Sequence, residues 1–237
     1  MARSLKPNNL KIDGQTLTAL SVLLLALLSL SAGACMLLAG LARYQADAFI
    51  EAWEKRGVEP QAQAWNIAHA AAQRAVAFYP VANGDYLDRL GRVQAWRHFR
   101  HPVTDLQAQH SRQAALHAYQ ASVVARPTWP YTWARLAHTK LLLQQIDSEF
   151  DEALNRAFEL GPWRIGVNRE LMNIGFNAWP KLSENQRLAI LKSARRSVLY
   201  STSEARQALK VAQQTGINRM FCTMLDSELK KERDICL

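Results

Sequence analysis

The sequence predicts an all-α chain, with one N-terminal transmembrane helix followed by an antiparallel helical-repeat domain. Residues 16–42 carry no charged side chain, whereas the remainder mixes apolar and polar residues. No stretch alternates with the period of two that a half-buried strand needs. Proline and glycine fall instead at the ends of alanine-bearing segments that read as helices.

The composition limits what such a chain can be. Its 237 residues give room for one domain plus an anchor, and 49% hydrophobic residues with ten Gly and eight Pro suit a helical globular chain. The formal net charge is +9; Arg3, Lys6 and Lys11 against Asp13 put +2 of it in the first residues and leave +7 on the rest. A cationic domain favours anionic partners such as an acidic glycan or lipid headgroups, although the same charge serves ordinary solubility. The charge is scattered, with no basic block carrying interleaved aromatics, so no nucleic-acid partner is expected.

The uncharged run reads TLTALSVLLLALLSLSAGACMLLAGLA. A hydrocarbon core about 30 Å thick needs about 20 residues at helical rise, so the run crosses with margin and its lipid partner is the bilayer itself. Three basic residues precede it, and Arg43, Tyr44, Gln45, Ala46 and Asp47 follow. The positive-inside bias predicts residues 1–15 in the cytoplasm, residues 16–42 in a bacterial inner membrane, and residues 43–237 in the periplasm. Arg43, Lys55 and Arg56 reduce that contrast. A cleaved signal peptide has a shorter apolar core of about 7–15 residues. Ala32-Gly33-Ala34-Cys35 resembles a lipoprotein processing site, but Met36, Leu37 and Leu38 beyond it stay apolar, and cleavage there would expose a greasy N-terminus. An uncleaved span is expected, with Cys35 a small apolar residue inside it. Cys222 and Cys236 either pair, closing a loop of about 15 residues worth about 3 kcal/mol, or are unrelated thiols. Spacing alone does not choose, and an oxidising compartment favours the bond.

Beyond the span, the helix is expected to continue through Ala46, Phe49, Ile50 and Trp53 to Gly57, with Pro60 beyond. An alanine-rich helix over 61–79 ends at Pro80. Asn83-Gly84-Asp85 opens a helix through Tyr86, Leu87, Leu90, Val93 and Trp96, and residues 97–103 (RHFRHPV) form a connector. Further helices are expected over 106–125, 131–144, 147–160, 167–178, 184–200, 204–214 and 217–231. Ser183 with Gln186, and Ser201 with Glu204, have capping-box spacing.

A repeat runs through these helices. Pro80, Pro127 and Pro162 each end an alanine-bearing helix, and Ala71, Ala118 and Ala153 stand nine residues before them. Tyr86 and Trp133 follow the first two prolines at six residues, with Leu90 and Leu136 about a turn further on. Pro127 and Pro162 are 35 residues apart, close to the roughly 34 of a tetratricopeptide unit. Pro80 and Pro127 are 47 apart, as if the connector at 97–103 were an insertion. Small alanines let paired helices approach, aromatics fill the larger holes, and proline ends one helix before the next. Other antiparallel bundles use these residues too, but the recurring offsets favour a tetratricopeptide-like repeat.

No catalytic motif is present: the chain lacks GxSxG, a phosphate loop, HExxH and CxxC. No enzyme, cofactor or metal is therefore expected. His98 and His101, and His110 and His117, are spaced for metal ligands on a helix, but Pro102 separates the pairs and no Cys or paired carboxylate joins them in sequence. Asp147, Glu149, Asp151 and Glu152 gather where a helix N-terminus already favours negative charge. The segment RPTWPYTW (126–133) is the most unusual. Arg126, Trp129, Tyr131 and Trp133 could build a carbohydrate-stacking platform or partner-binding patch, with Trp163 and Arg164 of LGPWR as a second cluster. Core filling is the favoured reading, being the ordinary use of such aromatics; whether Trp129 and Trp163 are exposed or core is left open, and Trp129 is the one to test for exposure.

These clusters carry a family resemblance. RPTWPYTWARLAHTKLLLQ (126–144) and DEALNRAFELGPWRIGVNRELMNIGFNAW (151–179) resemble the VpsP-type accessory proteins encoded with bacterial exopolysaccharide biosynthesis genes. The patterns RPxWPYxWxxLA and LGPWxxxVxxxLxxxGxxxW carry it, and similar Pro/Trp-rich repeats occur in the periplasmic tails of some O-antigen ligases and polymerases. The resemblance implies a role in making or exporting a surface polysaccharide, and the repeats with no catalytic motif make a non-catalytic, membrane-anchored scaffold the first expectation. Its partner would be an integral-membrane polymerase, flippase or copolymerase. Direct binding of an acidic glycan, or assembly of another envelope complex, are the alternatives. No catalytic residue is carried over.

Overall fold

The computed structural model describes residues 13–236; Arg3, Lys6 and Lys11, on which the expected orientation of the anchor rests, lie outside the described residues. Among the described residues there are eleven α-helices and no strand.

Helix α1, Gly14–Arg56, is a single 43-residue helix. The Asp13 carboxylate accepts from the Thr16 amide at 2.8 Å to start it. Gly57 ends it at φ 61°, a left-handed conformation glycine takes at no steric cost, and its N–H donates to the Trp53 carbonyl. Its apolar part has a mean hydropathy of 2.5 and is long enough to cross a membrane. A core helix would bury such a stretch, yet only 6% of that window is buried inside the protein. The second half differs. Ala39, Ala42, Ala46, Ile50 and Trp53, three or four residues apart, form one buried stripe.

Against that stripe packs α2 (Ala62–Phe78), and next comes α3 (Gly84–Trp96). The chain continues through α4 (Leu106–Ala125), α5 (Pro130–Leu142), α6 (Ser148–Leu160), α7 (Ile165–Ala178), a single 3-10 turn at Trp179–Lys181, and α8 (Glu184–Tyr200). It ends with α9 (Thr202–Gln214), α10 (Asn218–Thr223) and α11 (Ser227–Arg233). The closest packing is within consecutive pairs: α1 with α2, α3 with α4, α5 with α6, α7 with α8. Each pair also packs on the next, through α2 on α3, α4 on α5, and α5 on α7.

Small residues set these distances. Ala71, Ala118 and Ala153, the alanines of the recurring offset, are all buried. Gly91 lies against the Tyr119 ring so closely that a Cβ there would stand 2.5 Å from it. Gly84 meets the Arg126 Cβ at the same calculated distance, at the end where α3 begins and α4 finishes.

The helix ends follow the sequence closely, with two corrections. Residues 217–231 do not form one helix. Asp226 accepts from the Leu229 amide at 2.8 Å and starts α11 afresh, a break that lets Phe221, Leu225, Leu229 and Ile235 all be buried. A disulfide joins Cys222 to Cys236 across this hairpin-like tail. The Ser183 capping box is complete, but Ser201 makes only half of one. Its hydroxyl accepts from the Glu204 amide, while the Glu204 carboxylate is drawn to Arg169 on α7.

Candidate functional site

A groove of ≈ 750 Å³ runs along the face to which α1, α3, α5 and α7 contribute. Trp96 and Phe99 form one aromatic wall and Tyr131 stands across it; Arg92, Arg135, Arg169, His138, Glu54 and Glu170 supply the charge. Every arginine of the groove is paired. Arg92 reaches Glu54 at 2.7 Å, and Arg169 holds Glu204. Arg135 donates to both oxygens of Asp88, at 2.9 and 2.8 Å, and the Thr132 hydroxyl adds a third bond at 2.8 Å. Asp88 is buried, and without these donors its charge would be strongly unfavourable there.

His138 is ion-paired with Glu170. Burial opposes protonation of His138, but the Glu170 charge and hydrogen bond outweigh it and raise its pKa. Burial likewise opposes ionisation of Glu170, and the His138, Arg135 and Arg169 charges lower its pKa overall. The groove therefore presents aromatic side chains and paired charges.

The sequence-predicted cluster is divided by the structure. Trp133 belongs to the core at 8% exposure, its Nε1 donating to the Pro127 carbonyl at 2.7 Å. Tyr131 lines the groove and lies 5.5 Å, centroid to centroid, from Trp129. Trp129 is half-buried between two guanidiniums, Arg126 at 4.1 Å and Arg164 at 5.6 Å from its ring. Of the residues in the two clusters, Trp163 is the exposed aromatic, at 90%.

Sequence reasoning missed Asp88, Arg135, His138 and Glu170, and no local signal marks them, since the Asp88–Arg135 contact joins residues 47 apart. It also missed Glu59, which sits between His98 and His101, at 3.3 Å from the first and 3.7 Å from the second. The carboxylate absent from the local sequence is thus supplied by the segment after α1. His117 takes no part and bonds to Gln113. The acidic cluster has specific partners besides the helix N-terminus. Asp147 caps α6, Asp147 and Glu149 hold the buried Lys140, and Asp151 accepts from Gln186.

In comparison with known proteins, no family model matches the chain and no curated protein matches it.

Proposed function

We propose that the chain is a non-catalytic, membrane-anchored scaffold whose groove receives a segment of a membrane protein of surface-polysaccharide assembly: a polymerase, flippase or copolymerase. The observation that carries it is the continuity of α1. One helix includes both the apolar stretch and Glu54 of the groove wall, so a partner seated in the groove is held at a fixed height above the bilayer. The helix pairs, with their buried alanines and their terminating prolines, support a tetratricopeptide-like arrangement, in which the first helices of successive pairs line the receiving face. The polysaccharide pathway rests on the VpsP-type resemblance of residues 126–179, and the periplasmic side on the charge bias of the tail.

Direct capture of an acidic glycan in the groove is less well supported, because Arg92, Arg135 and Arg169 already face carboxylates. The test is photo-crosslinking in cells from Phe99, on the groove wall, and from Leu188, exposed on α8. An adduct from Phe99 alone with an integral-membrane protein of glycan assembly, and loss of polymer in Arg135→Ala, is the expected result. Equal adducts from both positions, or intact polymer production without the protein, would contradict it.

A further inference from the structure

We infer that the edge of the helical domain nearest the anchor rests on the bilayer, with Trp163 and Tyr200 seated among phospholipid headgroups. The inference rests on α1 being a membrane span. Arg43, the first charge after the apolar run, donates to Asp85 at 3.1 Å, and Arg89 donates to Asp47 at 2.6 Å. These pairs fix the start of α3 beside the exit of the span. The same end then propagates through the domain. Arg126, at the end of α4, is 3.7 Å from Asp85. Arg126 and Arg164 share the Trp129 ring, which brings the ends of α4 and α6 together with the starts of α5 and α7. Arg169, in the first turns of α7, holds Glu204 at the start of α9, just after Tyr200.

The exposed aromatic residues collect on this edge. Tyr44 is 75% exposed, Trp163 90% and Tyr200 66%, with Val81 at 67% and Val124 at 82% on neighbouring helix ends. The opposite edge, where Trp53 meets Trp96, exposes Val58 and Leu106 but no aromatic among the described residues. Tryptophan and tyrosine with arginine are the residues that favour the headgroup layer. The level is right as well. Burial of α1 by the domain begins at Ala39 and Ala42, inside the uncharged run. A run of 27 residues exceeds the roughly 20 a hydrocarbon core needs, so its last turns stand at headgroup depth.

The test uses the full chain in vesicles of phosphatidylcholine and phosphatidylglycerol. Cys35→Ala removes the free thiol, the disulfide is kept, and a fluorophore is placed in turn at Trp163→Cys, Tyr200→Cys, Leu106→Cys and Leu24→Cys. Spin-labelled lipid is expected to quench positions 163 and 200 at least threefold more than position 106. Quenching at 24 with none at 163 overturns the inference and leaves the span intact. No quenching at 24 removes the span and the inference with it. A blue-shifted but unquenched label at 163 means protein covers the site, which also overturns it.

A separate observation carries a second inference: we infer a divalent-metal site at Glu59, His98 and His101. Their donor atoms lie within 4.8 Å of one another. The His98 amide donates to Glu59 Oε1 at 3.1 Å, orienting the carboxylate. Asp105 engages His101 Nδ1 at 3.1 Å, which leaves Nε2 toward the cluster, the outer support a metal-bound imidazole uses. His98 Nδ1, on a residue held at φ 56°, is buried and makes no well-aligned hydrogen bond, with Glu59 Oε1 3.3 Å away. Two imidazoles and a carboxylate with an open position suit zinc or cobalt. Titration of the detergent-solubilised chain with Co²⁺ should give d–d absorption at one equivalent, displaced by Zn²⁺. Affinity should fall at least tenfold in His101→Ala and Glu59→Gln but not in His117→Ala. No absorption, or equal binding by all variants, overturns the site.

Discussion

Asp88 shows how a single residue ties the layers of this protein together. It lies on α3, is 5% exposed, and takes three hydrogen bonds from α5. Removing it leaves Arg135 without the carboxylate it pairs with, and breaking such a buried pair costs about 3–5 kcal/mol. Asp88→Ala should lower the free energy of unfolding, read from denaturant melts, by that amount, well beyond the loss in Glu152→Ala on an exposed helix face. His138 and Glu170 predict a pH dependence. His138 has its pKa raised above 6.5, so its share of stability is complete below 6.5 and lost as pH rises through the raised value. Glu170 has its pKa lowered below 4.5, so its share is complete above 4.5 and lost as pH falls through the lowered value. The stability gap between the native chain and His138→Gln should therefore be larger at about pH 5.5 than at about pH 9, and an equal gap at both would count against the pairing. None of these partners was legible in the sequence, because Asp88 meets Arg135 only after two helices have turned back. Helix starts at Asn83 and Ser183 were legible, because these residues act on amides two to three residues away; Asp13 and Asp147 cap in the same way but were read only as charges.

Helices themselves were read well where proline, glycine or a cap marks their ends. The helices at 106–125 and 184–200 have the bounds the sequence implied. The tail was not, because the start of α11 depends on Asp226 outcompeting helix continuation, and continuation looks equally good by periodicity. Two elements give quantitative tests. Gly91→Ala pushes a Cβ into the Tyr119 ring and should destabilise the protein by about 1–3 kcal/mol, whereas Gly40, with nothing within 4 Å of its added Cβ, should accept alanine without loss. Cys236→Ser opens the tail and should cost about 3 kcal/mol, with faster amide exchange concentrated over 218–236. Unchanged exchange there would mean the disulfide holds nothing that packing does not already hold.

At the scale of the molecule, the all-helical class and the long apolar helix were legible because both depend on composition and period. The groove was not. Its lining is drawn from Glu54 to Glu170, and only the stacking of four helices brings those residues to one face. Trp163 was legible as unusual but not as exposed, since exposure depends on how the ends of α6 and α7 pack rather than on the local residues. What unites the scales is α1, one continuous helix that carries both the apolar stretch and Glu54 of the groove wall; on the proposed reading it sets the height of the groove and of the aromatic edge above the bilayer. Protease treatment of intact spheroplasts, followed by alkaline extraction of the membranes, tests this most directly. A full-length chain that stays with the membranes before treatment and loses its helical domain to protease added outside is the result predicted. A domain protected from that protease, or recovered soluble and lacking its first 42 residues, would contradict it.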